Sequence, residues 1–228
     1  ALTPDACDNM IAAAERNGKQ LMVGQCLRFW PAYVRLKEAI DGGEFGAVTN
    51  AYFFRGGATP TWGPWLLQKD KSGGALMDMH VHDADMVYWL FGMPQAVSAI
   101  GRNVVPGSGY DLVSANYRYA GGPVVNAQAD WTLQGDFGFD MTYRVNFERG
   151  NIVFKDGVVK VNPNEGPGFE AELSADMGYY YQLKHFVESL AAGQPISTST
   201  GRDTRGTIAL VGAEMRSADR GGEWVEIG

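Results

Sequence analysis

Cysteine is scarce, with Cys7 and Cys26 the only two in 228 residues. Each falls inside an apolar periodic segment, so buried free thiols are expected and a disulfide framework is excluded. Runs of like charge are missing. Nineteen Lys and Arg stand against 26 Asp and Glu, a net charge of −7, with a pI near 5.0. That balance excludes the clustered basic surface that nucleic acid or an anionic membrane requires. No apolar run approaches the ~18 residues of a membrane span. The opening ALTPDAC is neither a basic n-region nor an apolar h-region, so no signal peptide is expected and a cytoplasmic protein is. Histidine is nearly as rare as cysteine, at three residues.

What is present is an ordinary globular composition, 45% hydrophobic and 12% aromatic, enough for a sizeable core. Thr3-Pro4-Asp5 reads as an N-cap with Pro at the first helical position, so a helix is expected over 4–17. The chain thus opens almost directly on a helix, which suggests a segment removed upstream. Residues 20–27, QLMVGQCL, read as a short strand. Pro31 starts a second helix that the Gly42-Gly43 pair stops, and 47–55 is strand-like. A loop rich in Gly, Pro and Trp follows over 57–73, then a helix closed by Gly92 and Pro94. From about 95 to 162 the pattern turns to strict alternation with hairpin punctuation, an antiparallel sheet with two distinct faces. Residues 163–176 read as a loop, followed by helices near 177–192 and 203–219 and a last strand at 223–227. The expected fold class is α+β, an open, largely antiparallel sheet with helices on one face.

Two of the three histidines fall in the third helix, in GGALMDMHVHDADMVYWLFG, residues 73–92. Asp78, His82 and Asp85 are spaced i, i+4 and i+7 and share one helix face. Spacing alone leaves the cluster open between a satisfied polar core and an acid/base site. As an acid/base site, a histidine titrating near neutral pH would take a hydroxyl proton beside a carboxylate one turn away. Zinc is a third option, through Asp78, His80, His82 and Asp83. Against it, His80 and His82 diverge by about half a turn, and no cysteine is near; no metal is expected. Asp85 suits tying the helix to a neighbouring loop. Arg28, at a predicted strand end, reads as a substrate contact or an ion-paired arginine. Trp62 and Trp65 precede the helix and suit the wall of a sugar pocket or plain packing. Lys69 and Lys71 share that loop, and one of Tyr179, Tyr180 and Tyr181 could reach the same pocket. Trp131 sits on an alternating strand face, as core or interface.

GGALMDMHVHDAD, residues 73–85, resembles the G-G-x-x-x-D-x-x-x-H-x-x-D signature of the glucose–fructose oxidoreductase / inositol dehydrogenase / MocA family. VGQCLRFWPAYVRLKEAIDGGEFGAV and YYYQLKHFVESLAAGQPI are similar to other segments of that family, and the resemblance runs over essentially the whole chain. It implies an NAD- or NADP-dependent oxidoreductase acting on a sugar, cyclitol or related polyol. By that resemblance Asp78 and His82 would supply acid/base chemistry; Arg28 and Trp65, from their positions, are expected to contact substrate, and His80 to contact substrate or solvent. His80 departs from the commonest family pattern, which has a small residue there. No strand–GxGxxG–helix unit and no E-K-P lysine occur in the chain, so the cofactor site is expected mostly outside it. Residues 1–27 would then be a remnant of the dinucleotide-binding domain, and 28–228 the substrate-binding and oligomerisation domain. The open sheet face implies a homodimer or homotetramer. The alternative is a non-catalytic binding or dimerisation module that lacks the cofactor.

Overall fold

The computed structural model describes residues 1–227. Helix α1, Pro4–Arg16, starts as its sequence dictates, with the Thr3 side chain accepting from the Ala6 amide. Helix α2 spans Pro31–Asp41, with Pro31 at its first position. Strand β1, Val48–Gly57, follows, and then a single helical turn α3, Lys69–Ser72. Next come a π-helical turn, Leu76–His80, and helix α4, Val81–Phe91. The alternating region supplies β2 (Ala96–Arg102), β3 (Leu112–Arg118), β4 (Val124–Asp130), β5 (Phe139–Phe147), β6 (Gly150–Lys155), β7 (Val158–Pro163) and β8 (Phe169–Glu170). Helices α5 (Gly178–Ala191) and α6 (Gly201–Asp219) and strand β9 (Val225–Glu226) complete the chain.

The nine strands form one sheet in the order β8-β7-β6-β5-β1-β4-β3-β2-β9. Seven of its eight contacts are antiparallel and β1 pairs in parallel with β4. Alternation decides which side chains go inside. Ala51, Phe53, Ala115, Ala127, Tyr143, Val145 and Ile152 are buried on the covered face. Their alternates on the other face, among them Asn116, Asn126 and Arg144, keep contact with solvent. Helix α2 seats Tyr33 against Tyr143 and Phe154, and the Tyr143 hydroxyl donates to the Ala32 carbonyl at 2.7 Å. Both cysteines are free and buried.

Three sequence expectations are corrected. Residues 20–27 do not form a strand: Met22 makes one isolated bridge to Thr200, and Cys26–Phe29 winds into a 3₁₀ turn. A strand persists only with a neighbour to ladder against, and this segment finds one bridge among the described residues. The loop over 57–73 contains a 3₁₀ turn, Pro64–Leu67, as well as α3. The loop over 163–176 contributes β8, which pairs with β7. Helix α1 rests on α6, with Ile11 against Gly201 and ion pairs Arg205–Asp8 and Arg202–Glu15, both at 2.6 Å.

Candidate active site

The site begins at Gly73-Gly74, both with left-handed φ, +79° and +72°. A Cβ on Gly74 would stand 2.6 Å from the Ser108 carbonyl oxygen, and one on Gly73 would stand 2.5 Å from the Met77 side chain. Only glycine fits either position. The chain then enters the π turn, an arrangement frequent at functional sites, and runs into α4.

Five titratable side chains occupy 78–85, and the structure divides them. Asp85 receives Arg28 in a bidentate pair, Nε at 2.8 Å and Nη2 at 2.9 Å, plus the Thr207 hydroxyl at 2.6 Å. Asp83 receives Arg55 likewise, Nε at 2.8 Å and Nη2 at 3.2 Å, and that guanidinium also donates to the Tyr33 hydroxyl at 3.4 Å. The His80 Nε2 lies 3.0 Å from a Glu214 carboxylate oxygen. The Tyr117 hydroxyl donates to the other oxygen at 2.8 Å. His80, Asp83, Asp85 and Glu214 are all 0% exposed. Burial opposes charge on His80, but the Glu214 carboxylate outweighs it and the net direction is upward. Burial also raises Asp85, with Arg28 pulling the other way. These three positions tie the helix to the 3₁₀ turn at Cys26–Phe29, to β1, to β3 and to α6.

Asp78 and His82 differ. Both line one cavity of about 470 Å³, and among the described residues neither side chain has a hydrogen-bond partner. The His82 Nδ1 is shut from solvent and unpartnered. Burial, and secondarily the Arg55 charge, lowers the His82 pKa from 6.5 to about 4, so the ring is neutral at pH 7. Burial pushes the Asp78 carboxyl up from 3.8. Aromatic walls surround the pair: Trp30, Trp62, Trp131, Phe139 and Tyr179. A neighbouring cavity of about 210 Å³, mostly apolar, shares His82.

The remaining sequence expectations sort against this geometry. Arg28 lies outside the 470 Å³ cavity, held as the buried partner of Asp85. His80 is also outside it and fully buried, because its ring turns the opposite way from His82 toward α6. Trp65 is half-exposed in its 3₁₀ turn and lines neither cavity; its neighbour Trp62 takes the wall position. Of the three tyrosines, Tyr179 reaches the cavity. Trp131 follows the end of β4, is 1% exposed, and donates its indole N–H to Asp111 at 2.6 Å. Arg55 escaped the sequence reading although a signal was present. It falls in phase with the inward Ala51 and Phe53, and an inward arginine on a strand demands a buried carboxylate. Among the described residues, no three His, Cys, Asp or Glu side chains converge as a metal-ligand set.

The residues present do not suit a dinucleotide's pyrophosphate. The α6 N-terminus beside the smaller cavity is already closed by a reciprocal capping box of Thr200 and Asp203, whose carboxylate opposes a phosphate.

A sheet with one helical face and an aromatic cavity on a glycine-entered helix make an α+β domain. The GFO/IDH/MocA C-terminal domain model matches residues 33–153, and the chain belongs to that family. It is 27% identical over 212 residues to an inositol 2-dehydrogenase of Rhizobium meliloti, covering 87% of this chain and 62% of that protein. The fold is that of an aldose-aldose oxidoreductase from Caulobacter crescentus, with TM-score 0.86 and 22% identity over 99% of this chain and 69% of that one. A levoglucosan dehydrogenase solved with NADH and levoglucosan gives the same TM-score at 21% identity, over 100% of this chain and 71% of that one. Among the described residues no helix is long and apolar enough to cross a membrane.

Proposed function

We propose that this chain is the substrate-binding part of a nicotinamide-dependent oxidoreductase acting on a hydroxyl of a sugar, cyclitol or related polyol. The observation that carries the reading is the division of the polar cluster. Asp83 and Asp85 are each paired with a buried arginine and His80 with Glu214, while Asp78 and His82, without an ionic partner, face one aromatic-walled cavity. A nicotinamide held outside this chain would be the hydride's acceptor. What these residues supply is the proton chemistry. A neutral His82 accepts the proton of the reacting hydroxyl as the alcohol becomes a carbonyl, and returns it in the reverse direction. Asp78, one turn away, accepts a hydrogen bond from a substrate hydroxyl and orients it. Trp30 and Trp131 pack on the sugar's C–H faces and exclude water. The open sheet face, where Tyr52 and Phe54 lie among polar neighbours, is the surface through which copies would associate.

A second reading, a binding module without redox activity, draws on the capped α6 terminus. His82→Ala in the intact enzyme separates the two. The oxidoreductase reading expects turnover to fall by about 10²–10⁴-fold. Unchanged turnover removes the assignment.

A further inference from the structure

We infer that the cavity takes a saccharide of at least two rings that carries no anionic group, the second ring resting on Trp62 and Phe139 at its mouth. The inference rests on the reading of Asp78 and His82 as the groups that meet the reacting hydroxyl.

The charge argument comes from what the walls hold. Arg55 is the one lining arginine or lysine, and it is engaged in a bidentate pair with Asp83. The loop lysines do not supply another: Lys69 lines a separate cavity with Tyr110 and Asp219, and Lys71 is not a lining residue of the large cavity. A carboxylate or phosphate on the substrate would therefore meet Asp78 and no free cation. A neutral polyhydroxylated ring avoids that conflict, since its hydroxyls can be satisfied by Asp78 and His82.

The size argument comes from two tiers of aromatics. Trp131 is 1% exposed, tethered to Asp111 by its indole N–H, and Trp30 beside it is partly buried. Trp62 and Phe139 line the same cavity yet are 80% and 61% exposed. Their packing does not explain them, because they bury little of their own area. Phe139 is nonetheless held in place: it opens β5 opposite Gly57, and the Arg55 guanidinium lies 5.9 Å from its ring centre. Exposed aromatic faces at a pocket mouth are what a further sugar ring stacks on. A cavity of about 470 Å³ is in the range that drug-sized ligands fill.

The test uses the intact enzyme and needs no turnover. Binding is measured by saturation-transfer NMR and calorimetry for maltose, cellobiose and lactose, for their monosaccharides, and for glucuronate and glucose 6-phosphate. The expected result is a neutral disaccharide binding ~5–10-fold tighter than its monosaccharide, with the anionic sugars weakest. Trp62→Ala then removes the disaccharide's advantage and leaves monosaccharide affinity within about twofold. The inference is overturned if an anionic sugar binds as tightly as its neutral counterpart, if Trp62→Ala weakens both sizes equally, or if no disaccharide is preferred. If the disaccharide binds as expected while His82→Ala leaves the intact enzyme's turnover unchanged, the binding inference stands and the catalytic reading falls.

Discussion

His80 and His82 stand two residues apart on one turn, and their environments push them in opposite directions. His80 is wholly buried but faces Glu214, and its pKa rises. His82 borders a cavity with no acidic partner, and its pKa falls to about 4. The same contrast separates the carboxylates: Asp83 and Asp85 each hold an arginine, whereas Asp78 holds none and is raised by burial alone. One face of the turn is therefore anchored to the fold and the other borders the cavity. Burial by itself does not mark a working group. Burial without an ionic partner at the wall of a cavity points to one, because the cost of holding such a group is not returned by the fold.

The largest effect is expected on the anchored face. Asp83→Ala leaves Arg55 buried without its counter-ion and should cost ~3–5 kcal/mol in urea unfolding. Replacing both by apolar residues of similar volume should recover much of that loss, which would identify the orphaned charge as the cause.

Next in size is the pH dependence of the free histidine. A folded pKa of about 4 against 6.5 unfolded means that the unfolded chain binds the extra proton. The penalty is absent above pH 6.5 and grows as pH falls toward 4, reaching ~3 kcal/mol at most. His82→Gln should flatten that slope when unfolding free energy is followed from pH 7 to 4.

His80 should behave in the opposite sense. Its raised folded pKa gives stability that is complete below pH 6.5 and is lost as pH rises through the folded value. Tyr117, Asp83 and Arg55 face the same pair. Glu214→Gln should therefore destabilise by ~1–3 kcal/mol between pH 5 and 6.5, with the deficit shrinking on the alkaline side.

Much of the fold was legible because it rests on local signals. Thr3-Pro4 fixed one helix start, Pro31 another, and period-2 alternation marked β2 to β7. The glycine-entered signature located the site helix, and its spacing brought Asp78 and His82 to one face. What escaped depended on distant partners. Nothing near His80 announces Glu214 on the last helix, so its burial could not be read locally. Arg28 sits close to a predicted strand end, yet Asp85 and Thr207 determine where it points. Residues 20–27 have strand composition, but composition does not provide a neighbour. The choice between Trp62 and Trp65 turned on a 3₁₀ turn that faces Trp65 away from the cavity.

The smallest expected effect gives the most direct test of the division. Unfolding free energies of Asp78→Asn and Asp83→Asn would be measured side by side at pH 7. The account predicts that Asp83→Asn destabilises by several kcal/mol, while Asp78→Asn changes stability by less than ~1 kcal/mol, in the stabilising direction, because it relieves an unpaired carboxylate. Comparable destabilisation by both would contradict it and return Asp78 to the structural side of the cluster.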